Sequence, residues 1–296
     1  MRLLTFSQGD DPQPGVLVDG GSAIVGLGRD AGRLEHWLGC APETIEAATA
    51  ASREAWKPVP LADVRLHAPI LRPGKILGIG LNYQEHAAES VSFVKADAGG
   101  VQKWFNKQAT AANGPFDPVA LPAVSDQLDY EAELVVVIGK RGRHVPADRA
   151  MEIIAGYTCG CDYSVRDWQR ASPTMIMGKG FDTHAPFGPW IVTPDEMPPL
   201  DQVGIRSFVN GVPRQNGRAG QMIHAVPEQI AHLSAAFTLE PGDVIFTGTP
   251  AGVGAAMDPP TFLSVGDRVR VEVDGIGAIE NEIAAEDAKA RIGDDG

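Results

Sequence analysis

Two dipeptides that demand a tight reversal constrain this chain most. Asn210-Gly211 and Asp274-Gly275 each stand between strand-like segments, and the second separates Val-Arg-Val-Glu-Val from Ile-Gly-Ala-Ile-Glu. Asn-Gly and Asp-Gly tolerate the positive φ that two-residue hairpin turns require, so both sites predict antiparallel β-hairpins. Further strand candidates fall at 76–80, 132–138, 153–161, 188–192, 206–209, 243–247, 268–273 and 276–283. Helical stretches are fewer, at 82–90, 146–155, 164–170 and 226–236. No helix–strand alternation opens on a Gly-rich dinucleotide fingerprint, which argues against a doubly wound nucleotide-binding fold. The pattern predicts a mainly β, α+β protein.

Residues 1–69 read as a small N-terminal domain. Strand-like pieces at 15–19 and 22–26 precede an Ala- and Glu-rich helical stretch at 34–51, and Pro58, Pro60, Pro69 and Pro73 then punctuate the passage to Lys75. Proline fixes φ and supplies no N–H, so this run reads as a domain joint. The catalytic domain is placed at 70–284, followed by a polar tail at 285–296 that is expected to fray. With 296 residues, 44% of them hydrophobic, the chain is long enough for such a pair of units.

The net charge of −13 argues against a nucleic-acid partner, which calls for a basic face. No apolar run approaches the roughly 20 residues of a membrane helix. The first residues turn acidic and Pro-rich too soon for a signal peptide, so the expected address is cytoplasmic. Cys40, Cys159 and Cys161 form no CxxC pair, and Cys159 and Cys161, in an apolar stretch, read as reduced core thiols rather than a disulfide or zinc site.

The chemistry concentrates in Asp129-Tyr-Glu131-Ala-Glu133-Leu-Val-Val-Val-Ile-Gly. Strand side chains alternate faces, so Glu131 and Glu133 point the same way. Two like charges at the mouth of an apolar strand repel unless a cation sits between them; a solvated strand end is the other reading. Asp162 favours the cation, because it ends the apolar stretch 153–161 where a strand delivers a side chain to a site. Three carboxylates make an oxygen-rich shell, which suits Mg²⁺, Mn²⁺ or Ca²⁺ rather than zinc.

Other residues point to the same chemistry while leaving plainer readings open. His86 and Glu89 are three apart, within hydrogen-bond reach on one helical turn. The carboxylate would raise the imidazole's basicity for work as a general base, although the pair also fits an ordinary surface turn. Lys179, between glycines in Met-Gly-Lys-Gly-Phe-Asp-Thr, is a desolvated cation for an anionic substrate or a loop residue. Arg166 and Gln169 follow Asp162 and add carboxylate-binding donors. The stretch Gly242-Asp-Val-Ile-Phe-Thr-Gly-Thr-Pro-Ala-Gly-Val-Gly is a strand opening into a Gly-rich turn without the Gly-Lys-Ser/Thr of a phosphate loop. Its Thr249 offers a hydroxyl to a small ligand or belongs to a plain turn.

Taken in order, Gly-x-Asn-Tyr-x-x-His-x-x-Glu, Glu-x-Glu, Asp-x-x-x-Arg-Asp-x-Gln, Gly-Lys-x-Phe-Asp-Thr and Thr-Gly-Thr-Pro-Ala-Gly-Val-Gly resemble the fumarylacetoacetate hydrolase (FAH) family from about residue 70 to 284. The resemblance implies an FAH-type fold, a mixed β-sandwich roll, usually as a homodimer. It implies Glu131, Glu133 and Asp162 as ligands of Mg²⁺ or Mn²⁺, His86 and Glu89 as a base dyad on a lid, and Lys179 as the active-site cation. Arg166, Gln169 and Thr249 would contact a small oxo-acid. Within the stretch 90–113, Trp104-Phe-Asn-Lys-Gln departs from the family's Phe-x-Lys-Pro at Gln108. The activity expected is hydrolysis of a C–C bond in a β-diketo acid such as an acylpyruvate or fumarylpyruvate, with water activated by His86. The alternatives are decarboxylation of a β-keto acid such as oxaloacetate, keto–enol or double-bond isomerisation of an unsaturated oxo-dioate, and an oxo-acid-binding module without catalysis.

Overall fold

The computed structural model describes residues 1–9, 11–28, 32–90 and 101–289. Both predicted hairpins are present. Asn210 (φ 53°) and Gly211 (φ 77°) join the strands Gly204–Val209 and Val212–Arg218, and the turn containing Gly275 (φ 83°) joins Arg268–Val273 to Gly277–Ala285. These four strands and Val119–Leu121 form a five-stranded sheet.

A larger, 12-stranded sheet contains the strand that follows Glu131 and the one that precedes Asp162. At its centre the strand Ala132–Ile138 pairs antiparallel with Ile154–Cys161 on one side and Val244–Phe246 on the other. Ile76–Gly80 then runs parallel to Val244–Phe246, and Lys103–Lys107 closes that edge. The central strand is buried at all seven positions. Leu134, Val136 and Ile138 face a core shared with Ile205, Val271 and Ile279 of the five-stranded sheet. Val135 and Val137 face a second core with Phe187, Phe246 and Ile45, the last from the helix Pro42–Ala55. At about 1.5–3 kcal/mol for each fully buried aliphatic side chain, this strand is a main anchor of the fold. The mainly β, α+β architecture expected from the sequence is therefore the architecture found.

Hydrogen bonding runs across the expected joint at residue 69. Arg2–Ser7 pairs with Ala185–Val192 and so adds the N-terminal strands to the large sheet, while Leu3 and Val16 share a core with Ile76 and Val244. Arg2–Ser7 has no polar–apolar alternation because five of its six residues are buried, and alternation marks only strands with one wet face. The helical stretch expected at 34–51 resolves into a 3₁₀ turn at Leu34–His36 and a helix at Pro42–Ala55, which begins where proline suits a first helical turn. The helix expected at 146–155 is 3₁₀ at Ala147–Ile153. At the other end, Ala285 pairs with Leu121 and the Glu286 N–H donates to the Leu121 carbonyl, so the expected tail starts inside the sheet. Its last part, 290–296, lies outside the described residues, as do 91–100 within the stretch 90–113.

Candidate active site

The central sheet brings the three carboxylates together. Ala132 stands opposite Cys161, and the Asp162 N–H donates to the Glu131 carbonyl at 2.8 Å, so the start of one strand lies beside the end of its neighbour. Carboxylate oxygens of Glu131, Glu133 and Asp162 all lie within 4.8 Å of one another, and all three residues are buried.

Three buried cations and a fourth carboxylate complete the cluster. Lys179 Nζ donates to Glu131 Oε2 at 2.7 Å and to Asp162 Oδ2 at 2.6 Å. Lys107 Nζ donates to Asp162 Oδ1 at 2.5 Å and to the Tyr163 carbonyl at 3.0 Å. Arg166 reaches Asp129 Oδ2 through Nε at 2.8 Å and Glu131 Oε1 through a terminal nitrogen at 2.7 Å. Asp129 in turn accepts the backbone N–H groups of Gly254 and Ala255. Burial acts to raise the Glu131 carboxyl, but Lys179 and Arg166 outweigh it and hold Glu131 well below the usual carboxylate range. Burial, followed by the charges of Asp162 and Glu131, pushes Glu133 well above it. Among the described residues Glu133 has no ion pair; it accepts the Gly248 N–H at 2.7 Å. Four ionised carboxylates against three cations would leave one negative charge unmatched, and the upward push on Glu133 shows that it is the residue that resists carrying that charge without a further cation. A divalent cation among these oxygens offsets the repulsion, and an all-oxygen donor set fits Mg²⁺ or Mn²⁺.

The dyad expected from spacing is formed. On the helix Gln84–Ser90, His86 Nδ1 lies 2.8 Å from Glu89 Oε1, and His86 is buried. The Glu89 carboxylate also accepts the Gly252 N–H, so the Gly-rich turn braces the dyad from outside the helix. Asn82, just before that helix, ties the Thr247 carbonyl to the His224 backbone.

Thr249 differs from its expected role as a donor. Its hydroxyl donates to the Ala132 carbonyl at 2.9 Å and accepts from Gln215 Nε2 at 2.7 Å, so its one proton is committed inside the protein. Gln169 accepts from Arg166 at 2.9 Å and helps to orient it. Lys107 is the member of the cluster that spacing alone misses. Its partner lies 55 positions away, and the only local signal is its place in the Phe-x-Lys motif.

Glu131, His86, Lys179, Arg166, Gln169 and Thr249 all face one cavity of about 610 Å³, whose apolar wall includes Ile79, Phe105 and Met175. The helix Arg166–Ala171 and the short helix Ile176–Lys179 meet there without a side chain between them. A Cβ added at Gly178 would lie 2.3 Å from the Gln169 backbone nitrogen. Only glycine lets the segment carrying Lys179 approach the one carrying Arg166 so closely.

The geometry agrees with what the chain is similar to. Residues 75–284 match the fumarylacetoacetate hydrolase C-terminal family model. Over 291 residues, 96% of this chain and 90% of the relative, the sequence is 39% identical to a mitochondrial oxaloacetate tautomerase of Xenopus laevis. The structure of a 5-carboxymethyl-2-hydroxymuconate delta-isomerase from Mycobacterium smegmatis superposes with a TM-score of 0.76 at 36% identity, covering 97% of this chain and 99% of that one. A maleylpyruvate hydrolase from Sphingobium, solved with manganese(II) and pyruvate, gives 0.78 at 30% identity over 96% and 99% of the two chains. With residues 75–284 matching the family model and 96% of its length aligned with a relative at 39% identity, the chain belongs to the fumarylacetoacetate hydrolase family.

Proposed function

We propose that this protein interconverts the enol and keto forms of oxaloacetate or a closely similar oxo-acid with the help of Mg²⁺ or Mn²⁺. The observation that carries the reading is that His86, bonded to Glu89, lines the same cavity as Glu131, whose carboxylate lies within 4.8 Å of those of Glu133 and Asp162. That pairing supplies one proton-transfer group beside one metal site, and tautomerisation needs no more. The named tautomerase relative supports this alternative over the C–C hydrolysis expected from the sequence. Since that relative is mitochondrial, the cytoplasmic address is not carried forward. The homodimer belongs to the same proposal, and a single-chain mass by native mass spectrometry would remove it.

In the reaction the enol gives up its O–H proton and C3 gains one, with no carbon–carbon bond broken. Glu89 accepts from His86 Nδ1–H and fixes the ring, which leaves Nε2 to carry the proton. Glu131, Glu133 and Asp162 would hold the metal, whose contribution when bound is Lewis-acid stabilisation of negative charge on the substrate oxygen. Lys179 and Arg166 keep Glu131 ionised and oriented. The test is the near-ultraviolet absorbance of enol oxaloacetate, followed with purified protein and Mn²⁺ alongside a pyruvate assay. Accelerated loss of absorbance without pyruvate is expected. Pyruvate appearing as fast as the absorbance falls would make decarboxylation the reaction. Inertness toward oxaloacetate with release of pyruvate from an acylpyruvate would restore hydrolysis, the reading favoured by the manganese-bound hydrolase neighbour.

A further inference from the structure

The hydrogen-bond ladder of the large sheet breaks at Ala132, between Glu131 and Glu133. The strand Ala132–Ile138 is registered on Val244–Phe246 with Val135 opposite Phe246 and Val137 opposite Val244. Alternate residues carry the ladder on that side. The Leu134 carbonyl accepts the Thr247 N–H at 3.2 Å, and the Ile138 N–H donates to the Asp243 carbonyl at 2.9 Å. Continued by two residues, the same register sets Thr249 opposite Ala132, where a further main-chain pair would be due. Side chains stand there instead. Gly248, at φ 97°, turns the chain away and gives its N–H to the Glu133 carboxylate. The Ala132 carbonyl accepts the Thr249 hydroxyl, and the Ala132 N–H donates to Gln215 Oε1 at 2.9 Å.

Gln215 reaches this break from the five-stranded sheet, on the strand Val212–Arg218. It is 1% exposed, and all four of its hydrogen-bonding positions are filled. Oε1 also accepts the Ser207 hydroxyl at 2.9 Å, and Nε2 donates to Thr249 Oγ1 and to the Pro250 carbonyl, both at 2.7 Å. The Ala132 N–H can only donate and the Pro250 carbonyl can only accept, so the amide has one orientation. Gln215 therefore pins the peptide plane between Glu131 and Ala132 directly, and the plane between Ala132 and Glu133 through Thr249. Those two planes aim the two glutamates, because rotation about the bonds at Ala132 is the backbone freedom that would swing one carboxylate relative to the other.

We infer that Gln215 is a positioning residue for the metal site, setting the relative aim of Glu131 and Glu133 from behind the cavity wall to which Thr249 belongs. The inference rests on the metal reading above. Gln215→Met keeps the length of the side chain and removes all four bonds. Titration of the metal-free protein with Mn²⁺, read from the electron paramagnetic resonance of the free ion, should show its Kd rising on the order of 10- to 100-fold, the usual result of loosening what holds a metal ligand. Gln215→Asn, whose amide falls one methylene short, is the milder variant and should move Kd the same way. Ser207→Ala is the control: it removes a bond to Gln215 without touching Ala132, so it should lower Tm and leave Kd at the wild-type value. A wild-type Kd in either folded Gln215 variant overturns the inference. So does a Ser207→Ala protein that loses as much affinity as Gln215→Met, since the loss would then follow stability rather than aim. A wild type that binds no Mn²⁺ would sink the metal reading and take the inference with it.

Discussion

Acid should weaken this fold through His184. The ring is fully buried, its Nε2 donates to the Ala120 carbonyl at 2.8 Å, and it stacks on Phe181 with centroids 5.4 Å apart. Burial lowers its pKa from 6.5 to about 3 against the favourable bond to Ala120, and the Lys107 ammonium pushes the same way as burial. The sign follows directly. Between those two values the unfolded chain binds a proton that the folded chain refuses, so stability is complete above about pH 6.5 and is lost as pH falls toward 3. One pKa unit corresponds to about 1.4 kcal/mol, and integrating from pH 7 to pH 5 gives a loss of about 2 kcal/mol from this residue alone. His184→Gln keeps a donor for Ala120 and removes the titration. Urea unfolding of both proteins at pH 7, 6 and 5, with chelator present, isolates the effect as a difference of differences. The wild type should lose about 2 kcal/mol more than the variant over that range. Parallel pH profiles would show that His184 is not held neutral by its surroundings, and the reasoning would fail.

The remaining predictions concern the site. Mn²⁺ at about 100 times its Kd should stabilise the wild type by about 2.7 kcal/mol, and Glu131→Gln should lose most of the resulting rise in Tm. An undiminished rise would take Glu131 out of the ligand set. His86→Ala should cut the rate on the order of 10²–10⁴-fold with metal affinity nearly unchanged. A collapse of metal affinity in calorimetry would make His86 a ligand instead. Gly178→Ala forces a Cβ to within 2.3 Å of the Gln169 backbone nitrogen, which no rotamer relieves. It should cost about 1–3 kcal/mol in urea unfolding and raise KM, and wild-type stability would refute the close-approach argument.

Much of the site was legible because its determinants are local. Alternation put Glu131 and Glu133 on one face, the end of an apolar stretch placed Asp162, and three-residue spacing paired His86 with Glu89. What escaped depends on contacts distant in sequence. Lys107 acquires its role from Asp162, and Thr249 commits its proton to Ala132, 117 positions away. The segment 1–69 looked separate because its proline-rich exit resembles a joint, yet Arg2–Ser7 joins the large sheet through Ala185–Val192. The relatives' chemistry was less legible still, because tautomerases and hydrolases can share one set of carboxylates and one dyad.

The central strand has a consequence for how this scaffold can change. Its body, from Leu134 to Ile138, is fixed by two cores at once, while Glu131 and Glu133 at its opening belong to the carboxylate cluster of the proposed site. Packing and the proposed chemistry therefore fall to different residues of one short segment. Substitutions at cavity positions outside the two cores draw little on the packing that keeps the strand in place, so those positions can drift where selection for new substrates acts. A library randomised at Leu81, Arg170, Ser172 and Met175 should accordingly retain a high fraction of folded members, whereas one randomised at Val135, Val136 and Val137 should not.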